Sequence, residues 1–363
     1  MSSAPRSVWL HNPFRVGGKN RPVVCVMGKI KASAMLKSIA KKSLNPIYLR
    51  RAVRLHRNRK QLVRCKNDPQ LKLYAQLFPS GFLHYGYFDN TAICPRDMSL
   101  NAITDAQLKY AEVLLEKVLD RRSEVLDVGC GMGGLVGMML KRGWKPVALS
   151  PDAHQIDAIK ELYPQTPTIQ AKFEDIDVEE HRGRYGTVIN AESLNYLHLE
   201  DALPLINQVL KPEGRWVICD FFRMDEAGDT SGHWEHFEQS VKEAGFYFSY
   251  KRDITPHILP TIAYAHMLGE EVGLPVIDFS LEKLRGKQPG LHYLLEESLD
   301  ALLQKMKENL QIVNPVDFQK RKKYMLLVVE RGTGETETAG IALDRKGHTP
   351  LSPDEEDKLN KMM

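Results

Sequence analysis

The sequence is poor in the features that mark disulfide-rich, zinc-binding and membrane-spanning chains. Its 363 residues include only five cysteines, at positions 25, 65, 94, 130 and 219, and none forms a Cys-x-x-Cys pair. This number and spacing are typical of neither a disulfide framework nor a zinc site, and they favour a reducing compartment. No apolar run approaches the ~20 residues that a membrane-spanning helix needs. No secretory signal is expected, because the first residues lack a long apolar stretch.

Acidic residues are absent from residues 1–67, which contain 17 Lys and Arg. Since the whole chain has 50 basic and 46 acidic residues, the remainder holds 33 basic residues against all 46 acidic ones. Two stretches, 29–42 and 47–63, mix apolar and basic residues and predict amphipathic helices. We interpret residues 29–64 as a surface for an anionic membrane. A helix packed on the protein and a mitochondrial transit peptide are the alternatives.

Two further expectations follow from this basic segment. Binding to nucleic acid is the less favoured interpretation, because Arg alternates with Leu more than with aromatic residues that stack on bases. We predict a cytoplasmic protein, with attachment to a membrane surface and mitochondrial import as open alternatives. The sequence does not indicate an oligomeric state.

Strand-like and helix-like stretches alternate through the middle of the chain. Apolar runs predict strands at 124–128, 146–149, 168–171, 187–191, 215–221 and 246–252. Helices are predicted at 133–142, 152–162, 199–210 and 234–244, after an earlier helix from Asp105 to Asp120 with Thr104 as its N-cap. This alternation is typical of parallel βαβ units in a doubly wound α/β sheet.

The alternation stops after these strands. Residues 256–312 look mostly helical, and one last strand is predicted at 323–330. The tail, 331–363, lacks aromatic residues and has the composition of a disordered segment. We therefore divide the chain into a basic, partly helical extension, 1–77, a doubly wound domain, 78–330, whose residues 256–312 form a helical cap, and the tail.

The stretch "VLDVGCGMGG", residues 125–134, places a glycine-rich loop between the first predicted strand and a helix. Glycine adopts positive φ and lets the backbone approach a ligand, and the helix amino terminus offers free N–H groups. The loop fits the dinucleotide pattern G-x-G-x-x-G from Gly129 to Gly134. It also fits D-x-G-x-G-x-G, beginning at Asp127. A carboxylate there opposes an anionic pyrophosphate and suits a cationic ligand, which disfavours a nicotinamide-dependent oxidoreductase.

Five segments carry a family resemblance over residues 78–330. They are "EVLDVGCGMGG", "PVALSPD", "FEDID", "YGTVINAESLNYL" and "LKPEGRWVICDFF". In this order and spacing the chain resembles the class I S-adenosylmethionine-dependent methyltransferases. The resemblance implies a Rossmann-like seven-stranded sheet with its last strand antiparallel, and S-adenosyl-L-methionine as cofactor.

Within that family the chain is similar to the γ-tocopherol, sterol and cyclopropane-fatty-acid groups. "LHYGYF" (83–88) precedes the core where those groups have an aromatic lid, and "ALSP" (148–151) resembles their "TLSP" segment. "ESLNYL" (192–197) resembles their "ES-x-x-H-x" segment, with Tyr196 in place of the usual His. The resemblance implies that the methyl acceptor is a small hydrophobic or aromatic metabolite or a lipid, bound under the lid and the cap.

The resemblance also implies which residues line the cofactor. They are Asp127, Gly129, Gly131 and Gly133 at its methionine end, Leu149 and Ser150 after the second strand, Phe173 and Glu174 beside adenine, and Asn190 and Ala191 at the end of the fourth strand. Many family members have an acidic residue for the ribose hydroxyls where this chain has Leu149-Ser150. Asp152 or Gln155 is the predicted substitute.

Methyl transfer proceeds by in-line displacement, so the protein mainly aligns the reactants and excludes water. A base is needed only where the acceptor must lose a proton. The lid-like residues His84 and Tyr85, and Glu192 after the fourth strand, are the candidate catalytic residues. No metal-ligand cluster is recognisable, so no metal is predicted.

Two absences narrow the reaction. "NAES" stands where enzymes that methylate adenine or glutamine amino groups have N/D-P-P-Y/F, and no Pro-Cys nucleophile for cytosine C5 is present. A cyclopropane-fatty-acid-synthase-like enzyme and a nucleic-acid-binding protein with a methyltransferase-like domain remain the alternative functions. The acceptor and the methylated atom stay open.

Overall fold

The computed structural model describes residues 45–57, 81–118, 121–225 and 232–332. The chain divides into two compact units between Arg54 and Leu55. Helix α1, Pro46–Arg57, lies in the basic stretch predicted to be helical at 47–63. The helix predicted at 29–42 and nearly all of the tail lie outside the described residues, so the proposed domain limits stay predictions.

One sheet organises the body of the chain. Its strands are β1 Glu124–Val128, β2 Lys145–Leu149, β3 Thr168–Ile169, β4 Tyr185–Ala191, β5 Leu210–Arg223, β6 Phe246–Asp253 and β7 Lys322–Arg331. Across the described residues these seven strands lie in the order β3-β2-β1-β4-β5-β7-β6. Neighbouring strands among β3, β2, β1, β4 and β5 are parallel. Strand β7 runs antiparallel to both β5 and β6. The predicted doubly wound sheet with an antiparallel last strand is confirmed.

Helices cover the sheet and continue beyond it. They are α2 Leu100–Leu115, α3 Gly134–Lys141, α4 Ala153–Leu162, α5 Val178–His181, α6 Leu199–Val209, α7 Trp234–Glu243, α8 Thr255–Leu268, α9 Leu274–Lys287, α10 Pro289–Ile312 and α11 Pro315–Arg321. Helices α8 to α10 occupy the range 256–312 that the sequence predicted to be mostly helical. A π-helical turn, Gly269–Gly273, joins α8 to α9.

Two hydrophobic clusters lie on opposite faces of the sheet. Val125 of β1 belongs to the cluster that contains residues of α2, α3 and α8. Leu126, the next residue, belongs to the cluster that contains residues of α6 and α7. Successive side chains of a strand point to opposite faces, and a parallel sheet is covered on both, which explains the nearly continuous apolar strands of the sequence.

The helix predicted from Asp105 to Asp120 was placed about five residues too late. Helix α2 begins at Leu100, and Ser99 is its N-cap, since the Ser99 hydroxyl accepts a hydrogen bond from the Ala102 N–H. Thr104, the predicted cap, lies inside the helix and donates to the Leu100 carbonyl over 3.1 Å. Both residue types can cap a helix, and the packing of Ile103 into the core favours the earlier start.

Candidate active site

Two backbone hydrogen bonds hold the glycine loop against the end of β2. Gly129, Gly131 and Gly133 have φ of +83°, +54° and +88°. The N–H groups of Gly129 and Cys130 both donate to the Leu149 carbonyl, over 2.9 and 3.2 Å. A Cβ on Gly129 would lie 2.5 Å from the Ser193 Cβ, so the loop also closes on the turn after β4. The positive φ of these glycines agrees with the sequence prediction, and the predicted approach to a ligand stays a prediction.

Asp127 is a buried carboxylate with an unsatisfied oxygen. It lies in β1, two residues before the first glycine of the loop, and is 2% exposed. Its Oδ2 atom has no hydrogen-bond partner among the described residues. Burial raises the pKa of Asp127 from its usual 3.8 to about 7. An unpaired buried acceptor is costly, and a bound cation or hydrogen-bond donor would relieve that cost.

The amino terminus of α3 already has a partner. The Gly134 N–H donates to the Gly81 carbonyl over 3.3 Å. A Cβ on Gly134 would lie 2.6 Å from Cδ1 of Phe82, so residues 81 and 82 lie directly against the start of the helix. Dinucleotide sites place a pyrophosphate at such a helix terminus. In this protein the backbone at Gly81 lies where part of such a pyrophosphate would bind.

The residues after β2 form a local hydrogen-bonded turn. The Ser150 hydroxyl donates to Oε1 of Gln155 over 2.6 Å. Oδ1 of Asp152 caps α4 by accepting from the N–H groups of His154 and Gln155. Leu149 is fully buried. Both predicted substitutes for the ribose contact therefore also hold the start of α4, and their role toward a ligand stays a prediction.

Phe173 and Glu174 follow β3 in a short 3₁₀ turn. Phe173 is 1% exposed and packs within the apolar cluster on one face of the sheet. Oε1 of Glu174 accepts a hydrogen bond from the His198 N–H over 2.9 Å. Their proposed contacts with adenine stay predictions.

A buried polar network supports the turn after β4. Oδ1 of Asn190 accepts from the Trp216 indole N–H, and its Nδ2 donates to the Ser193 hydroxyl, both over 2.8 Å. Ser193 in turn donates to the Val128 carbonyl. The side chain of Asn190 thereby joins β4 and β5 to the turn, and Ala191, half-buried, ends the strand.

Glu192 begins that turn with a left-handed backbone. Its φ is +55°, and among the described residues no other non-glycine residue has a positive φ. Oε1 of its side chain accepts two hydrogen bonds, from the Tyr85 N–H over 2.8 Å and from the Tyr324 hydroxyl over 2.7 Å. Burial raises the pKa of Glu192 from its usual 4.5 to about 8, against the lowering effect of these donors. The structure thus brings together two residues that the sequence grouped only by resemblance, Glu192 and Tyr85.

Residues 81–88, the aromatic segment, are tied to four neighbouring elements. The contacts of Gly81 and Tyr85 are described above. On the side of α2, Gln107 Nε2 donates to the carbonyls of Phe82 and His84, and the Tyr87 N–H donates to the Ala106 carbonyl. On the side of α8, the Gly86 N–H donates to the Thr261 hydroxyl and the Phe88 N–H donates to the His257 carbonyl. These contacts join the glycine loop, α2, α8 and the turn after β4. The segment lies where the sequence analysis expected a lid.

His84 is neutral in this segment. Burial lowers the pKa of its imidazole to about 4. Its Nδ1 lies 2.8 Å from the Tyr85 carbonyl, which can only accept, so Nδ1 carries the hydrogen. Nε2 is then an acceptor, and it has no partner among the described residues. The ring stacks on Tyr110 at a centroid distance of 4.1 Å.

Three polar residues of the site were missed by the sequence analysis. Tyr110 and Tyr324 lie in apolar stretches of α2 and β7, and their hydroxyl oxygens are 3.0 Å apart. Asp220 of β5 accepts from the Leu194 N–H, the Asn195 side chain and the Phe221 N–H. A polar group inside an otherwise apolar strand, as in "VICDFF" and "KYMLLVVE", was the available signal.

The described residues show neither a metal centre nor a helix that could cross a membrane. They contain no group of three or more His, Cys, Asp and Glu side chains arranged to hold a metal ion. Among the described helices, none combines the length and the apolar content that crossing a membrane requires.

The comparisons with known proteins agree with this geometry. A family model described as a methyltransferase domain matches residues 125–214. Uncharacterized methyltransferases of Mycobacterium bovis and Mycobacterium tuberculosis are 30% identical over 127 residues, which is 33% of this chain and 51% of each relative. The chain therefore spans about half the length of the curated relatives it matches.

Two solved structures have the same fold. A putative sarcosine dimethylglycine methyltransferase from Galdieria sulphuraria superposes with a TM-score of 0.56 at 15% identity, over 73% of this chain and 99% of that one. A mycolic acid cyclopropane synthase complexed with SAH and CTAB gives a TM-score of 0.51 at 14% identity, over 72% and 95%. Residues 125–214 therefore resemble a methyltransferase domain, and the sheet that contains them has the fold of these two solved structures.

Proposed function

We propose that the protein is an S-adenosylmethionine-dependent methyltransferase that acts on a small hydrophobic or aromatic metabolite or a lipid. The observation that carries this proposal is the buried, unpaired Oδ2 of Asp127 beside the glycine loop. S-adenosylmethionine carries an α-ammonium group and a sulfonium, and a carboxylate in a water-poor site attracts a cationic ligand. The left-handed glycines let the loop turn tightly at the end of β1, close to Asp127.

A dinucleotide fits the same residues less well. The pyrophosphate of a nicotinamide cofactor is anionic, and Asp127 would oppose it. A pyrophosphate would bind at the amino terminus of α3. There the Gly134 N–H already donates a hydrogen bond to the Gly81 carbonyl. Both observations favour a cationic cofactor, and neither depends on the family resemblance.

The residues of this chain align the reactants and control a proton. When bound, the cofactor supplies a methyl group on a positively charged sulfur. The acceptor attacks this methyl group in line and displaces the sulfur. The aromatic segment would exclude water from that reaction, since its backbone is bonded to α2, α8 and the turn after β4. Glu192 would take the proton from an acceptor that must lose one, because a carboxyl with a pKa of about 8 is well matched to proton transfer near neutral pH.

Thermal unfolding with four ligands tests the cofactor. We expect S-adenosylmethionine and S-adenosylhomocysteine, but neither NAD nor NADP, to raise the Tm. At ~100 times the dissociation constant a ligand adds ~2.7 kcal/mol, which is a few degrees in a domain of this size. Asp127→Ala should abolish the shift, and Asp157→Ala, which removes an exposed aspartate of α4, should retain it. A shift with nicotinamide cofactors alone would overturn the proposal.

Deuterium labelling then separates the two reactions that this cofactor can support. With cofactor deuterated at the methyl group, a methylated product keeps all the deuterons of that group. A cyclopropane-type reaction on an alkene loses one of them when the ring closes. Mass spectrometry of acceptor pools incubated with the labelled cofactor therefore tests the methyl-transfer proposal against its lipid-modifying alternative.

A further inference from the structure

A closed ring of polar contacts surrounds Glu192. The Glu192 N–H donates to the Cys219 carbonyl over 2.9 Å. The Tyr110 hydroxyl lies 3.1 Å from that same carbonyl oxygen and 3.0 Å from the Tyr324 hydroxyl. Tyr324 completes the ring at Oε1 of Glu192, over 2.7 Å. The ring therefore constrains both the backbone and the side chain of one residue.

The two carboxyl oxygens of Glu192 have different surroundings. Oε1 accepts from the Tyr324 hydroxyl and from the Tyr85 N–H. Among the described residues no donor binds Oε2. A carboxylate oxygen with two donors has little capacity left for a third hydrogen, whereas the other oxygen keeps its lone pairs. Oε2 is therefore the oxygen that is ready to receive a proton.

Tyr324 is itself held rigidly. Its N–H donates to the Thr255 hydroxyl over 2.8 Å, and its carbonyl accepts from the Ile254 N–H over 2.8 Å. Its ring meets the rings of Tyr85 and Tyr110 edge-on, at centroid distances of 6.1 and 6.3 Å. Burial raises the pKa of both ring hydroxyls, Tyr110 and Tyr324, well above the usual value, so they stay protonated as donors.

We propose that Tyr324 is a positioning residue that binds Oε1 of Glu192, favours the ionised carboxylate and leaves Oε2 to accept the proton of the methyl acceptor. The Tyr110 hydroxyl contacts the Tyr324 hydroxyl over 3.0 Å and helps to hold it in place. In the proton transfer the bond from hydrogen to the acceptor atom breaks and an O–H bond forms at Oε2, while the acceptor keeps the electron pair that bonds to the methyl group. This inference rests on the proposed function.

Each group facing Glu192 has a defined electrostatic effect. The Tyr324 hydroxyl and the Tyr85 N–H lower the pKa of Glu192, while burial and the carboxylate of Asp220 raise it. Tyr110 and the Cys219 thiol are neutral neighbours whose own pKa values Glu192 raises. The neutral His84 ring stacks on Tyr110. No basic side chain of the described residues takes part, so Tyr324 is the side-chain donor that stabilises the charge on Glu192.

A titration of Glu192 tests the proposal on the ligand-free full chain. The carboxyl carbons of glutamate are labelled with ¹³C, and the NMR signal missing in Glu192→Gln identifies this residue. We expect Tyr324→Phe, which keeps the ring, to raise the midpoint by about one pH unit or more, since it removes a hydrogen bond to a charged group. Tyr110→Phe is the matched control and should raise it by less than half as much. An unchanged midpoint in Tyr324→Phe, or equal shifts in both variants, would overturn the proposal.

A second measurement needs no tyrosine variant and remains decisive if Tyr324→Phe does not fold. In the wild-type protein the hydroxyl proton of Tyr324 should shift in step with the titration of Glu192, and this response should disappear in Glu192→Gln. A chemical shift of the Tyr324 hydroxyl proton that does not change with pH would contradict the proposed hydrogen bond.

The catalytic part of the proposal has its own readout. The NMR midpoints decide the role of Tyr324 at Glu192 whether or not the cofactor binds, while the thermal-shift experiment decides the proposed function. With an acceptor in hand, the acid limb of kcat/KM against pH should move in Tyr324→Phe by the same amount as the NMR midpoint. An acid limb that stays in place while the midpoint moves would overturn the assignment of Glu192 as the proton acceptor.

Discussion

Two buried aspartates near the carboxyl edge of the sheet differ in how their oxygens are used. Asp220 binds three donors through its two oxygens, and its pKa rises only to about 6. Asp127 has an oxygen with no partner, and its pKa rises to about 7. The satisfied carboxylate holds the turn after β4 in place. The unsatisfied one is the better candidate for contact with a ligand, because buried polar groups in folded proteins are seldom left unpaired.

Gly129 is constrained by its backbone and by its neighbour, and the two effects can be separated. Gly129→Ala would combine the strain of a φ near +83° with a Cβ 2.5 Å from that of Ser193. We predict a loss of about 2–5 kcal/mol in the free energy of unfolding, from left-handed strain and overpacking together. Urea unfolding monitored by circular dichroism measures it.

Gly183→Ala is the matched control for this prediction. Its φ is +58°, and a Cβ there meets no atom within 4 Å. Only the backbone strain remains, so the expected loss is about 1 kcal/mol. Equal losses in the two variants would contradict the tight contact between the glycine loop and Ser193.

At the scale of elements, the turn after β4 is built by several strands at once. Residues of β1, β4 and β5 contribute the Val128 carbonyl, Asn190 and Asp220 that hold it. The aromatic segment and β7 add Tyr85 and Tyr324. A left-handed glutamate is costly in isolation, and these tertiary contacts stabilise it where the segments converge.

Helix α1 is the described part of the basic segment. On a helical wheel Arg50, Arg54 and Arg57 share one side, and Leu49 and Val53, both exposed, lie next to it. We propose that this helix binds an anionic membrane surface. Arg50→Gln with Arg54→Gln should weaken the affinity for phosphatidylserine vesicles, measured by sedimentation, by about 30-fold, since each basic residue near such a surface contributes about 1 kcal/mol.

The control for this prediction is a charge change elsewhere on the molecule. Lys141→Gln with Lys160→Gln removes two exposed charges from α3 and α4 and should leave vesicle binding unchanged. A chain truncated before Asp68 should lose binding altogether. Equal weakening by both double variants would indicate attraction by net charge alone, and binding that survives the truncation would refute a membrane role for the segment.

At the scale of the whole molecule, three buried acids determine the pH dependence of stability. Burial raises the pKa of Asp220, Asp127 and Glu192 to about 6, 7 and 8. Each acid therefore binds its proton more tightly in the folded protein than in the unfolded chain. The stability contributed by the protonated forms is present at low pH and is lost as pH rises through these values. Glu124 and His84 have the opposite sign, because a hydrogen bond with Arg184 holds the pKa of Glu124 below the usual range and burial lowers the pKa of His84 to about 4.

We therefore predict that the free energy of unfolding falls between about pH 5 and pH 8, by up to ~1.4 kcal/mol per pH unit for each acid that titrates. Asp127→Asn should make the dependence shallower up to about pH 7. Urea unfolding at several pH values measures it. Asp157→Asn, at an exposed position, should run parallel to the wild type, and a parallel line for Asp127→Asn would refute the raised pKa of that residue.

Local pattern was sufficient for most of the architecture. The strands, the glycine loop, the sheet class and the position of Asp127 follow from apolar periodicity and from the backbone freedom of glycine, which act over a few neighbouring residues. The start of α2 did not follow, because both Ser99 and Thr104 are suitable as caps and the burial of Ile103, which favours the earlier start, is a feature of the tertiary structure.

The ring of polar contacts around Glu192 was decided by tertiary structure alone. Glu192 lies 82 residues after Tyr110 and 132 residues before Tyr324, and nothing within their own segments relates them. They meet because the order of the strands sets β7 beside β5, and because α2 and the aromatic segment pack over that edge. The sequence by itself determined which segments reach the carboxyl edge of the sheet. Which polar atoms pair there depended on the packing of distant elements, since a hydrogen bond requires its two atoms to be about 3 Å apart.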